Sequence, residues 1–284
     1  MEGARRILAL ADLHVLSHYG LAPEKWVGED GSEIRANPAQ QRLLRYWKHL
    51  MKIVNERDEW EVEEVWVVGD VFSGLNVLEH GRRVRGTLDE QLRCATELLS
   101  MLPSDATVKI WSGTPYHESV DFRLHEMLAS QLKLNGYRAQ FRGSWSIERI
   151  GKRKRAFVTH EASSSVVYPA TVMARDANFF KIAAFDGKLP EVHLIVRAHK
   201  HMKMYQDLGR IKVVQLPAWC IFVPYSKALK MFPAYQSDIG AFFIFLDEDD
   251  RIRCQEWIYP PFAMTETGEI IEADYDRKSY VEGW

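Results

Sequence analysis

Cysteine is scarce in this chain: Cys94, Cys220 and Cys254 are the only three among 284 residues. Three isolated cysteines build no disulfide framework, and none has the paired spacing of a cysteine-based zinc site. A reducing cytosol is therefore the expected compartment. Neither sign of charge is in excess. With 37 Lys and Arg against 39 Asp and Glu, the formal net charge is −2, so no global field draws the chain to nucleic acid, although a local basic patch would suffice. Long apolar runs are also missing, and no stretch approaches the roughly 20 residues of a membrane span. The apolar run after Arg5 and Arg6 is broken by Asp12 and His14, with no small-residue cleavage site beyond, so a secretory leader is not expected. Repeats and low-complexity segments are absent. A composition of 46% hydrophobic and 27% charged residues is that of a folded chain. A soluble, cytoplasmic protein without a membrane partner is expected. With no linker to divide it, residues 1–284 read as a single domain.

What is present is an alternation of short apolar runs and amphipathic stretches. Arg6 to Leu13, Val65 to Val68 and Thr107 to Trp111 read as buried strands. Asn37 can cap a helix with Pro38 in its first turn and Leu43, Trp47, Leu50 and Val54 on one face. Thr87 and Glu90 form a capping box for a second helix, and Ser119 to Leu134, closed by Asn135-Gly136, reads as a third. The second half is richer in strands. Gln140 to Ile150 and Arg153 to Thr159 are expected as a hairpin around Gly151, and Thr171 to Phe185 as a helix. His193 to Arg197, Ile211 to Gln215, Gly240 to Leu246 and Ile252 to Ile258 are expected as further strands. Residues 17–36 and 71–87 read as loops that shape a site, and the chain from about 262 as a polar tail. The pattern predicts an α/β fold of two packed mixed β-sheets flanked by helices.

Chemistry-bearing residues cluster where these strands end. The first three run into Asp12-Leu13-His14, Gly69-Asp70 and Gly113-Thr114-Pro115-Tyr116-His117; two later ones run into His160 and His199-Lys200-His201. In α/β sheets the carboxyl ends of the strands line the ligand crevice, so these groups are expected to converge. Asp-x-His puts both side chains on one face of an extended strand, and His199 and His201, also two apart, can hold one ion between them. Imidazole mixed with carboxylate suits manganese, iron, zinc or nickel better than magnesium or calcium. Each piece is common by itself; the ordered set of five carries the reading.

The order Asp-x-His, Gly-Asp, Gly-x-x-x-His, His, His-x-His resembles that of the calcineurin-like metallophosphoesterases, over residues 12 to 201. The resemblance implies a four-layer α/β/β/α sandwich. It also implies two divalent metal ions, with manganese the first expectation and iron, zinc or nickel as alternatives. By the likeness, Asp12, His14 and His201 hold one metal, Asp70 bridges, and His160 and His199 complete the second site. The implied reaction is hydrolysis of a phosphate ester by a metal-bridging hydroxide, with the metals about 3.5–4 Å apart. A phosphorylated substrate follows, with a lean to phosphodiesters, nucleotides or nucleic acid drawn from the nuclease branch of the family. A phosphomonoesterase, a mononuclear hydrolase and a binding scaffold that has lost catalysis are the alternatives.

The third motif departs from the family's Gly-Asn-His: Thr114 stands where the metal-binding Asn is expected, and Pro115-Tyr116 delays the histidine. His117 is expected in the site, first as the catalytic imidazole and alternatively as the missing ligand. His18, Arg82 and Thr114 are the candidate substrate contacts, Arg82 belonging to a basic cluster with Arg83 and Arg85. His193 reads as core or as support for a ligand. His49, His80 and His125 have no pattern that places them in the site.

Overall fold

A computed structural model describes residues 5–74, 86–115, 117, 123–160, 169–221, 237–264 and 269–272. The chain begins with β1 (Arg5–Leu10), a small hairpin of β2 (Lys25–Val27) and β3 (Glu33–Arg35), α1 (Pro38–Glu56) and β4 (Glu64–Val68). Next come α2 (Leu88–Leu99), β5 (Thr107–Trp111), α3 (Arg123–Leu134) and β6 (Arg138–Phe141). The second half holds β7 (Trp145–Arg149), β8 (Arg155–Thr159), α4 (Pro169–Phe185), β9 (Leu194–Arg197), β10 (Met204–Asp207) and β11 (Lys212–Gln215). It closes with β12 (Ile239–Leu246), β13 (Ile252–Tyr259) and the short pair β14 (Phe262–Met264) and β15 (Ile270–Glu272).

One sheet has six strands in the order β13-β12-β1-β4-β5-β6, the other five in the order β10-β11-β9-β8-β7. β1, β4, β5 and β6 are mutually parallel, as are β8, β9 and β11. Their carboxyl ends therefore open on common edges. Alternation sorts each strand's side chains between two cores. Ile7 and Ala9 of β1, with Trp66 and Val68 of β4, pack between the sheets against Ala156, Val158 and Val196. Leu8, Leu10, Val65 and Val67 face the other way, onto Leu43, Trp47 and Leu50 of α1 and Ala95 and Leu99 of α2. A third cluster lays Met173 and Ala177 of α4 on Ile195 and Val213, on the outer side of the second sheet. The result is the expected α/β/β/α layering. Both faces of the central strands are covered, which is why they read as continuous apolar runs.

The helix starts follow their local chemistry. In α1 the Asn37 side chain accepts from the Gln40 N–H while Gln40 reaches back to the Asn37 N–H; Thr87 and Glu90 do the same for α2.

Three expectations are corrected, and one strand, β10, is unexpected. Residues 17–36 contain the β2–β3 hairpin rather than only a loop. Gln140 to Ile150 is not one strand: β6 pairs parallel with β5 in the first sheet, and after residues 142–144 the chain continues as β7, antiparallel to β8 in the second. β10 precedes β11 as an antiparallel edge, and the region after 262 carries the β14–β15 pair. Of the segment 71–87, residues 75–85 lie outside the described residues, with Arg82 among them.

The two sheets are also joined by buried charge. Lys109 of β5 reaches Glu64 of β4 at 3.1 Å and Glu148 of β7 at 2.9 Å. Arg142 pairs with Glu148 at 2.6 Å, and Trp66 Nε1–H donates to Glu64 at 2.8 Å.

Candidate metal centre

Past Leu10 the first strand leaves the sheet, but its backbone continues to pair with the segment after β4. The N–H groups of Asp12, His14 and Val15 donate to the carbonyls of Gly69, Asp70 and Val71 at 3.1, 3.0 and 2.8 Å. Trp219 N–H donates to the Asp12 carbonyl at 3.0 Å, and Asp238 N–H to that of His201 at 2.9 Å. His199 N–H donates to Asp12 Oδ2 at 3.1 Å, tying the last motif to the first.

The backbone at these points is left-handed. Asp12, His14, Asp70, His199 and His201 have φ of 55°, 43°, 46°, 76° and 53°, and Leu16 and Asp250 are the only other non-glycine residues with positive φ among those described. Such a conformation costs a side-chain-bearing residue of order 1–3 kcal/mol and persists where surrounding contacts impose it, commonly at functional sites. This corrects the strand-based expectation for Asp-x-His and His-x-His: the side chains are not alternate positions of an extended strand. They are turned inward by left-handed residues beyond the strand ends.

Asp12, His14 and His201 form one set of converging donors, and Asp70, His160 and His199 a second, each with its donor atoms within 4.8 Å of one another. His199 and His201 thus divide between the sets instead of sharing one ion. In the first, His201 Nε2 lies 3.1 Å and His14 Nε2 3.8 Å from Asp12 Oδ1, and the two imidazole nitrogens face each other at 3.2 Å. In the second, His160 Nε2 is 2.9 Å and His199 Nδ1 3.9 Å from Asp70 Oδ2. The sets adjoin, since His160 Nε2 is also 3.8 Å from Asp12 Oδ1. All but His199 are buried.

Two of these atoms test whether the residues fit a cation. Asp12 Oδ1 and His160 Nε2 are fully buried and face only other candidate ligands, His201 Nε2 at 3.1 Å and Asp70 Oδ2 at 2.9 Å, with no hydrogen bond to a residue outside the cluster. Buried polar atoms are ordinarily satisfied, and an ion is one of the few ways to satisfy such a pair. His160 is arranged for it: its Nδ1 lies 2.8 Å from the Val68 carbonyl, which can only accept, so the proton is assigned to Nδ1 and Nε2 faces the site. Electrostatics agree. Burial disfavours a charged His160, yet the Asp70 and Asp12 carboxylates push it up to about 10. His14 is lowered to about 4, by burial and then by His117 and His201. Burial opposes ionisation of Asp12 and Asp70, but the surrounding histidines hold both well below the usual carboxylate range. These groups of imidazole and carboxylate donors could hold a metal ion.

The third motif lies against Asp70. Thr114 N–H donates to Asp70 Oδ1 at 2.7 Å, and the Thr114 hydroxyl lies 3.2 and 3.3 Å from the two carboxylate oxygens. His117 is buried, with Nε2 4.0 Å from Asp70 Oδ2 and its ring edge-on to His14 at 4.5 Å between centroids. His18 is not among the converging donors. Its carbonyl accepts from Asn37 Nδ2 at 2.7 Å, which fastens the loop after the first motif to the start of α1.

Sequence reasoning passed over the residues that support this arrangement. His125 of α3 is buried behind the second motif, where the Val71 N–H donates to its Nε2 at 3.4 Å. Gln91 of α2 binds Ser73 and Gly74, and Gln215 Nε2–H donates to the Ala198 carbonyl at 2.7 Å, just before His199. Arg197, buried on β9, pairs with Asp176 of α4. No helix among the described residues is long and apolar enough to cross a membrane.

No protein-family model matches the chain, and comparison with curated protein sequences finds no match. Solved structures of similar backbone course include an archaeal phosphodiesterase, at 11% identity and a TM-score of 0.43, covering 89% of this chain and 99% of that one. A predicted phosphoesterase from Streptococcus pneumoniae aligns at 11% identity with a TM-score of 0.37, covering 91% and 100%. Zinc-bound Vps29 from Entamoeba histolytica aligns at 8% identity with a TM-score of 0.39, covering 89% and 98%.

Proposed function

We propose that this chain is a two-metal phosphoesterase of the calcineurin-like kind that acts on phosphodiesters, with nucleotides or nucleic acid as the substrate class. The observation that carries the proposal is the pair of adjoining donor sets, Asp12-His14-His201 and Asp70-His160-His199, buried but for His199, with Asp12 Oδ1 and His160 Nε2 facing only other members of the sets. Divalent cations held there would acidify a water and neutralise charge at phosphorus.

The chain's own residues set up that chemistry. Asp70 is oriented by the N–H and hydroxyl of Thr114. His160 is held in one tautomer by the Val68 carbonyl. Asp12 is fixed from both ends, its carbonyl by Trp219 and its carboxylate by the His199 N–H. These side chains project from structured elements and their short extensions, so little reorganisation separates them from a working geometry. The lean to diesters rests on the resemblance of the Asp-x-His motif with arginine-rich flanks to the nuclease branch.

The test is hydrolysis of an aryl phosphodiester and an aryl phosphomonoester by the chelator-treated chain, with manganese added back. Manganese-dependent turnover of the diester, abolished in Asp70→Asn, is expected. Preference for the monoester would reassign the substrate class. Absence of turnover on both, with metal bound, would make the chain a binding scaffold.

A further inference from the structure

We propose that His117 is a metal ligand, closing a third donor set with His14 and Asp70. The proposal rests on the metal-site reading above. The donor atoms of His14, Asp70 and His117 lie within 4.8 Å of one another, as do those of the two sets already described. The set is buried, with His117 8%, His14 6% and Asp70 1% exposed.

The ring of His117 is prepared in the same way as that of His160. Its Nδ1 lies 3.2 Å from the Ser73 carbonyl, an acceptor only, so the Nδ1 proton is engaged there and Nε2 faces Asp70 and His14. A second nitrogen tied to a backbone carbonyl is the usual support of a ligating imidazole. The supporting carbonyl is itself held firmly. Gln91, fully buried, accepts from the N–H groups of Ser73 and Gly74 at 2.9 and 3.1 Å through Oε1. It donates through Nε2 to the carbonyls of Gly74 and Gly86 at 3.1 and 3.2 Å, so every hydrogen-bonding position of the amide is in use. The Ser73 hydroxyl donates to the Val15 carbonyl at 3.0 Å. A β-carbon at Gly74 would lie 2.8 Å from the His117 carbonyl oxygen, so glycine there allows the two segments to meet. Thr114 directs its N–H and hydroxyl at Asp70.

The experiment is metal binding, read apart from turnover. Chelator-treated wild type, His117→Ala, His117→Gln and Asp12→Ala are titrated with zinc and manganese by calorimetry. Long-range proton–nitrogen NMR of the histidine rings is recorded on the wild type before and after zinc loading, and on His117→Gln to assign the His117 signals. His117→Ala is expected to weaken one binding event by more than the roughly tenfold to hundredfold that loss of a supporting partner costs, and His117→Gln, whose amide oxygen can coordinate, to recover part of that. In the wild-type spectrum, the Nε2 signal missing from His117→Gln is expected to show the shift of a metal-bound nitrogen. Wild-type affinity in both His117 variants, or a wild-type Nε2 signal that does not move on zinc loading, overturns the assignment. Asp12→Ala separates the two levels of inference. If it weakens binding and the His117 variants do not, only the ligand role of His117 fails. If it too leaves binding unchanged, the metal centre itself is refuted. The spectrum of the unaltered chain decides the matter even if His117→Ala does not fold.

Discussion

Gly113 is packed so closely on Asp70 that a β-carbon at position 113 would overlap the Asp70 carboxylate and press on its amide nitrogen. A backbone atom is among the colliding partners, so rotating a side chain offers no escape. Gly113→Ala is therefore expected to shift Asp70 and with it the carboxylate between the two donor sets. Overpacking of this kind costs about 1–3 kcal/mol of stability. The larger effect is expected on metal affinity, measured by calorimetry. Wild-type affinity in a folded Gly113→Ala chain would show that Asp70 does not need this position.

Metal removal gives a second prediction. A ligand that binds only the folded chain stabilises it by about 2.7 kcal/mol at a hundredfold excess over its dissociation constant. Manganese is therefore expected to raise the unfolding midpoint of the wild type and chelator to lower it. In Asp70→Asn the gap between the two curves is expected to shrink, because the mutation removes a carboxylate adjoining His160 and His199 while the Asp12, His14 and His201 donors remain. A manganese-induced shift of undiminished size in Asp70→Asn would refute the central place given to that residue.

A third prediction concerns the seam between the sheets. Lys109 lies between Glu64 and Glu148 with its side chain 10% exposed. Lys109→Met leaves two buried carboxylates without their shared cation, and breaking one partner out of such a cluster costs about 3–5 kcal/mol. Acid has a related effect. Burial pushes the Glu148 carboxyl up, but Lys109, Ser146 and Arg142 outweigh it and hold the group below its ordinary value of 4.5. A depressed folded-state pKa contributes stability above that ordinary value, and the contribution is lost as the pH falls through the lower, folded-state pKa. The stability gap between wild type and Glu148→Gln, from urea unfolding, is thus expected to be widest near neutrality and to narrow below pH 4.5. A gap independent of pH would mean that Glu148 acts by packing alone.

Much of this molecule was legible because its signals are local. Asn37 before Pro38 and Thr87 with Glu90 announce helix starts within four residues, and the structure has both, with Gln40 completing a capping box at the first. The candidate ligands stand directly after apolar runs, and parallel strands bring such ends together. What escaped depends on distant partners. Gln140 to Ile150 reads as one strand in sequence, and only pairing with β5 on one side and β8 on the other divides it between two sheets. The left-handed backbone at Asp12 and His201 is imposed by bonds to Trp219 and Asp238, hundreds or tens of residues away along the chain. Gln91 and His125 belong to helix faces that would bury them in any case, so nothing in their spacing marks the contacts they make with Ser73 and Val71.

The division of His199 and His201 between two donor sets yields the sharpest count. His201 approaches Asp12, while His199 approaches Asp70 and lies edge-on to His160 with 5.4 Å between ring centroids. If each set holds its own ion, the two single substitutions should be complementary. His201→Ala is expected to lose the ion of the Asp12 set and keep the other, and His199→Ala the reverse, so each variant should bind about half the metal of the wild type by elemental analysis after removal of excess. Because the two residues are only two positions apart, a general disturbance of the loop would strike both ions in both variants. Such a joint loss, or a wild type that saturates at one ion per chain, would replace two adjoining sites with a single shared one.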